Sequence, residues 1–339
     1  MTTATPPQNP PTPERFFNAI NAYQQTEAVK AAIELELFTA IAEGNTTAST
    51  IATRCNAAER GVRILCDFLT IHGFLTKQAT DYGLAPDAAL FLNKNSPAYI
   101  GSTIDFLLTP HIRETHGALT QAVRLGGTAV GHGTLVPDNP DWVKFAEAMM
   151  PLMFMPAQMA AAELRKGGES NKVLDIASSH GIYGISVAKQ NPAAHIYASD
   201  WGIVLEVGIK NAQAMGVGDR YHPIPGSAFD VDFGSGYDLV LLPNFLHHFD
   251  IPTCTSFMRK VHAALAPNGR AAIIEFVPNP DRITPPTPAS FSMMMLASTP
   301  SGDAYTAAEF ETICKGAGFS SIDPTPVQIG ISTLIVAHK

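Results

Sequence analysis

Two adjacent histidines close the run Leu241-Leu-Pro243-Asn244-Phe-Leu246-His247-His248-Phe249-Asp250. An imidazole titrates near neutral pH and suits a general base. A lone histidine is more often structural than catalytic, but this pair follows an apolar stretch that reads as a buried strand. The carboxyl end of such a strand faces the ligand crevice of an open α/β sheet. Glu275 closes the next apolar strand, where a buried carboxylate would orient an imidazole and hold it in the tautomer a base needs. Which of the two histidines acts is open at this level.

Other strand ends also carry polar residues. The first reads Asp175-Ile-Ala177-Ser-Ser179-His-Gly181, and the second ends in Asp200-Trp201. Read as the dinucleotide pattern GxGxxG, Ser179-His-Gly181-Ile-Tyr-Gly184 lacks its first glycine. A pyrophosphate needs that tight turn at a helix N-terminus, which argues against a nicotinamide enzyme. Asp200 is placed to accept hydrogen bonds from both hydroxyls of a ribose; the plainer alternative is a helix N-cap. Trp201 beside it either packs on a nucleobase or fills core. Gly226-Ser227-Ala228-Phe229 adds a serine hydroxyl, able to donate or to accept a hydrogen bond.

These strand ends need a sheet to hold them. Val173–Ala177, His195–Asp200, Tyr237–Pro243 and Arg270–Val277 read as strands, with helices at Ile203–Met215 and Ile251–Leu265 and a last strand at Thr333–Lys339. Such alternation predicts an α/β domain, a doubly wound parallel sheet covered on both faces, over 169–339. Ahead of it the pattern is helical. Val29, Ile33, Leu37 and Ile41 mark one face of a helix over 28–42. A second helix starts near Asn56, where Asn56 and Glu59 fit a capping box, and stops at Gly73. Phe74–Leu84 then reads as a small β-wing. Helix, helix and wing define a winged-helix-like module over 14–110, followed by a helical linker over 111–168 that contributes to the pocket. Within this stretch, helices are expected at 96–125 and through Trp142–Met149. Loops are expected at Gly126, Gly127, Gly131 and Gly133 and at Pro137–Pro140, and a domain boundary at Lys166–Ser170.

Composition narrows the function. Of 339 residues, 46% are apolar and only 15% charged, with a net charge of −8. That balance offers no basic field for nucleic acid. The helix a winged module would use for DNA mixes Arg60 and Arg63 with Glu59 and Asp67, so packing or dimerisation is the better reading. No run approaches the ~18 apolar residues of a membrane span; Ala148–Ala162 is broken by Pro151, Pro156 and Gln158. Cys55, Cys66, Cys254 and Cys314 form neither a CxxC pair nor a metal cluster, so reduced thiols and no metal are expected. Met1–Pro13 lacks the features of a signal peptide and reads as a disordered lead-in. A cytoplasmic enzyme follows.

With these residues in hand, the chain resembles the caffeic acid type of O-methyltransferases, also called the acetylserotonin or hydroxyindole family, over nearly its whole length. Val29-Lys30-Ala-Ala-Ile-Glu-Leu-Glu-Leu-Phe38 resembles the family's dimerisation helix, and Arg63–Leu75 with Tyr82–Pro86 its winged module. His247 matches the family's catalytic histidine, Glu275 a flanking glutamate, and Met295-Leu-Ala297 with Pro300 the substrate-lining helix and loop. The resemblance implies a class I methyltransferase fold, a homodimer through the N-terminal domain, and S-adenosylmethionine (SAM) as cofactor with S-adenosylhomocysteine (SAH) as product. It implies SAM bound by Asp175, Ser179, Gly181, Asp200, Trp201, Ser227, Ala228, Phe229 and Asn244. It implies a small-molecule acceptor near Met149, Met150, His248, Phe291, Met294 and Thr299. The departures are Ala177 and Ser179 where the family's Asp-x-Gly-x-Gly-x-Gly has glycines, His248 where Asp is common, and Ala304 where a second flanking glutamate precedes Thr306. They bear on the acceptor more than on the donor. Carbon or sulfur acceptors, or a SAM-binding dimer without transfer, remain alternatives, since relatives of this build include such cases and a few that decarboxylate or hydroxylate.

Overall fold

The structure, a computed structural model, describes residues 11–131, 141–323 and 326–339. The expected loop positions at Gly133 and Pro137–Pro140, and most of the N-terminal lead-in, lie outside the described residues. The chain divides into two compact units, one ending at Gly101 and one starting at Ser102.

In the first unit, α1 (Glu14–Glu34), α2 (Leu37–Ala42), α3 (Ala48–Arg54) and α4 (Glu59–Ile71) precede the hairpin β1 (Leu75–Gln78) and β2 (Asp81–Leu84), then α5 (Pro86–Phe91). The wing stands where it was expected. Phe38, Ile51, Leu69 and Tyr82 fill the core beneath it. Two local expectations fail. The helix read over 28–42 is two helices, because Glu36 takes a left-handed φ of 53° and interrupts the i→i−4 ladder. Its carboxylate is bound there by Lys94 at 2.7 Å and Arg54 at 3.4 Å. The Asn56–Glu59 capping box does not form: Asn56 is itself left-handed at 49°, and Ala58 precedes α4 without a side-chain cap. The capping box lies earlier, between Thr47 and Thr50 at the head of α3.

The second unit begins with a 3₁₀ turn (Gly101–Thr103 straddles the junction), then α6 (Ile104–Leu107), α7 (Pro110–Gly117), α8 (Leu119–Leu125) and α9 (Asp141–Lys166). The helix expected to end at Met149 instead runs on to Lys166, through Pro151 and Pro156. An interior proline costs about 3 kcal/mol. Burial of Met149, Met153, Ala157, Ala160, Ala161 and Leu164 on one face of the sheet offsets it. The buried Arg270 guanidinium donates to the carbonyls of Leu164 (2.6 Å) and Gly168 (2.8 Å), closing the helix's C-terminal end.

The sheet follows as β3 (Lys172–Ile176), α10 (Ile182–Gln190), β4 (His195–Asp200), α11 (Gly202–Ala214), β5 (Tyr221–Pro225), β6 (Tyr237–Pro243), α12 (Ile251–Ala264) and β7 (Leu265–Glu275). Then come α13 (Pro286–Ser298), α14 (Ala307–Ala317), β8 (Ser321–Ile322), β9 (Val327–Ile329) and β10 (Ser332–His338). Strand order is β5-β4-β3-β6-β7-β10-β8, with β9 paired to β10. Strands β3 to β7 are parallel, as expected. β10 corrects the all-parallel expectation: it runs antiparallel to β7, Thr333 facing Glu275, after a turn from β9 at Gly330. Every central strand is apolar at consecutive positions because both faces are covered. Val173, Ile196, Leu239 and Ile274 pack under α9 and α10, while Leu174, Val240, Leu242 and Ile273 pack under α12 and α14.

Candidate active site

The strand order reverses between β3 and β6, so a crevice opens outside their carboxyl ends. Asp175 sits there, fully buried in β3. Its Oδ2 accepts the Gly184 amide at 3.0 Å, tying the strand to the first turn of α10. A Cβ at Gly184 would press on Ile196 and on that same oxygen, so only glycine lets the helix so near. Burial pushes the Asp175 carboxyl well above the usual carboxylate range.

The loop after β3 is bonded to the end of β4. Ser178 N donates to Ser199 O at 3.2 Å, and Ser179 N to Asp200 Oδ2 at 2.8 Å. Asp200 Oδ1 accepts the Trp201 amide at 2.7 Å. Burial raises the Asp200 carboxyl to about 6, against the pull of these two amides. Ala177 (51°), Ser179 (52°) and Gly181 (73°) all take left-handed φ. Ala177 and Ser179 thus adopt the left-handed backbone that favours glycine, at two positions where the sequence has none. Asn244, after β6, is left-handed too, at 53°.

Ser227 shapes a turn: its hydroxyl accepts the Phe229 amide at 3.2 Å and its carbonyl accepts from Asp230 and Val231. Ala228 packs on the core below, and Phe229 is part of an aromatic group with Phe245, Phe249 and Phe257 while remaining 42% exposed. Trp201 packs with Trp142, Val143, Ala146, Val204 and Val207.

His247 is in a 3₁₀ turn (Leu246–His248) after β6, with Glu275 at the end of β7 beside it. Its Nδ1 meets Glu275 Oε2 at 2.6 Å, and its backbone amide donates to Oε1 at 3.2 Å. One carboxylate thus fixes both backbone and ring, leaving Nε2 as the ring's second nitrogen. The rings of Phe291 (4.9 Å, edge-on) and His248 (4.4 Å) flank the imidazole. Phe276 stacks on Phe291 at 4.1 Å, and Trp142 meets His248 edge-on at 5.7 Å. Burial and the neighbouring His247 push His248 well below the usual imidazole range, so His248 stays neutral.

The other expected pocket residues divide. Met149 is buried in the core under α9 and Met150 is half-buried against it. Met294 is half-buried on α13. Thr299 is fully buried with its hydroxyl engaged, donating to Met295 O at 2.7 Å and accepting Gly302 N at 2.8 Å. Several neighbours carry no mark in the sequence. Tyr183 is buried with its hydroxyl directed at Met153 Sδ (3.7 Å). Gly302 lies so close to His247 that a Cβ would overlap the His247 carbonyl oxygen. Trp142 and Phe276 extend the aromatic wall. None of these belongs to a local motif.

Among the described residues, the buried Asp175 Oδ1, Ser179 Oγ and Ser199 Oγ have no hydrogen-bond partner. Buried polar atoms are normally satisfied. Unsatisfied ones at the ends of β3 and β4 fit a polar nucleoside-bearing ligand.

Fold and site together define a class I SAM-dependent methyltransferase. The comparisons place it further. Residues 145–320 match the O-methyltransferase domain and residues 17–94 the O-methyltransferase dimerisation domain, and the chain belongs to that family. A crystal structure assigned as an O-methyltransferase from Nostoc punctiforme is 52% identical, covers 97% of this chain and 100% of its own, and superposes with a TM-score of 0.95. A 3-hydroxy-5-methyl-1-naphthoate 3-O-methyltransferase from Streptomyces sahachiroi is 27% identical over 88% of this chain and 87% of its own. Human N-acetylserotonin methyltransferase, solved with SAM, shares the fold at 20% identity and a TM-score of 0.84, over 98% of this chain and 99% of its own.

Proposed function

We propose that the enzyme methylates a hydroxyl on a flat aromatic small molecule, with His247 as general base and Glu275 as its partner, and that it works as a homodimer through its N-terminal unit. The observation that carries the base assignment is the 2.6 Å contact of His247 Nδ1 with Glu275. A carboxylate oxygen at that distance supports a proton on Nδ1, with the lone pair a base needs on Nε2. Burial pushes the His248 imidazole well below the usual range, which makes that ring a poor proton acceptor and favours its neighbour. The wall of Phe276, Phe291, His248 and Trp142 supports an aromatic acceptor, since rings pack edge-on and offset against rings.

Bound SAM supplies a methyl group activated by its sulfonium. Asp200 is read as the ribose acceptor, the Ser179–Gly181 loop as the backbone wall, Asn244 and Asp175 as polar partners, and Phe229 with Ser227 and Ala228 as the base-edge group. Nε2 of His247 takes the acceptor's hydroxyl proton as the oxygen becomes nucleophilic. Glu275 then stabilises the imidazolium across Nδ1–H.

The test is a screen of phenols, thiols and activated carbons with isotopically labelled SAM, followed by mass spectrometry. A labelled phenol ether is expected. On that phenol, His247→Ala should lower kcat by about 10²–10⁴-fold with SAH affinity retained. Full turnover by that variant sinks the base assignment, and labelled thioethers alone sink the oxygen acceptor.

A further inference from the structure

We propose that Arg282 is a positioning residue that sets His247 from its carbonyl side, acting through the segment 302–304. Glu275 holds His247 at its amide and ring. The opposite end of the residue is held separately. The His247 carbonyl accepts the Asp303 amide at 3.0 Å, and Gly302 lies hard against the His247–His248 backbone, as only a glycine can. Where the family's second glutamate would stand there is Ala304, fully buried and unable to touch the imidazole through a charge.

Arg282 grips this segment from outside. Its Nη1 donates to Asp303 Oδ2 at 3.2 Å and to the Ala304 carbonyl at 3.3 Å, while Nη2 pairs with Glu309. Glu309 is itself bound into the capping box that starts α14, accepting the Thr306 amide at 2.8 Å. The guanidinium therefore joins three points: a carboxylate and a carbonyl of the segment whose Asp303 amide bonds His247, and the head of a helix. Its own backbone is preset. Arg282 is left-handed at 57°, its amide donates to Asn279 O at 2.9 Å, and Asp281 accepts the Ile283 and Thr284 amides at 3.0 and 2.9 Å. A planar fork with several donors can do this where a lysine's single point charge does so only in part.

An exposed ion pair contributes little to stability. The same contacts matter more for geometry, because small misplacements of a reacting group are costly. Arg282 touches no reacting atom and acts only through 302–304.

The inference rests on the base reading of His247, so its test is read from the imidazole rather than from turnover. Full-length protein labelled with ¹⁵N-histidine and saturated with SAH should show a far-downfield Nδ1–H proton from the short bond to Glu275. His247→Ala assigns that resonance. In Arg282→Met it should shift upfield or vanish into solvent exchange, with the SAH Kd within ~3-fold of the parent. Arg282→Lys should restore it in part. Should Arg282→Met not fold, Asp303→Asn removes one arm of the grip and is read the same way. A resonance unmoved in the folded variant overturns the proposal. The base reading stands or falls on the turnover of His247→Ala, whatever this resonance does.

Discussion

Asp200 gives the site its clearest dependence on pH. In the proposed role of Asp200 as ribose acceptor, two hydroxyls need an ionised carboxylate, and burial raises this carboxyl to about 6. SAH affinity is therefore expected to be flat above pH 6 and to weaken about tenfold per unit below it, as isothermal titration would record. Asp200→Asn should bind weakly with no such slope. In the ligand-free protein the sign is opposite. The folded state keeps a proton that the unfolded chain releases near 3.8, so between about pH 4 and 6 this group lowers stability as pH rises, by about 3 kcal/mol in all. The rise in Tm caused by SAH should accordingly be larger at pH 8 than at pH 5. Asp200 was legible in the sequence because a strand end and its spacing from Asp175 are one-dimensional facts. Gly302 and Arg282 were not, because their importance lies in what they touch across the fold.

The loop after β3 shows what a glycine pattern stands for. The physical requirement is left-handed backbone, and Ala177 and Ser179 meet it at a cost of about 1 kcal/mol each. Ala177→Gly removes that strain but adds about 0.4–1 kcal/mol of freedom to the unfolded chain, so the net change in stability should stay within ~1 kcal/mol. Ala177→Val, β-branched at the same φ, should lose ~2 kcal/mol. Denaturant titration separates the two. Gly302→Ala tests the opposite side of the site: the added methyl must displace the His247 backbone, with ~1–3 kcal/mol of stability and most of kcat lost. Other elements hid for physical reasons too. Tyr221-His-Pro-Ile-Pro225 reads poorly as a strand, yet β5 lies on the sheet's edge, where prolines are tolerated. The prolines in α9 suggested a break that buried packing overrides. The direction of β10 follows from the β9 turn, not from its own alternation.

Over the whole molecule, the exposed face of α1 remains to be accounted for. Phe16, Phe17, Ile20 and Tyr23 are each more than half exposed, on a segment at the head of the dimerisation-domain match. Apolar clusters of this kind mark association surfaces. A second copy of the chain is the occupant that the family match supports. In a two-fold interface each substitution occurs twice, so a single glutamate places two like charges at one contact. Phe17→Glu with Ile20→Glu should therefore convert a particle of twice 36.1 kDa into one of 36.1 kDa by sedimentation velocity. The Tm of the parent should also rise with protein concentration, and that of the variant should not. A parent that sediments at the mass of one chain across the micromolar range would refute the homodimer, while leaving the donor and base readings of the second unit untouched.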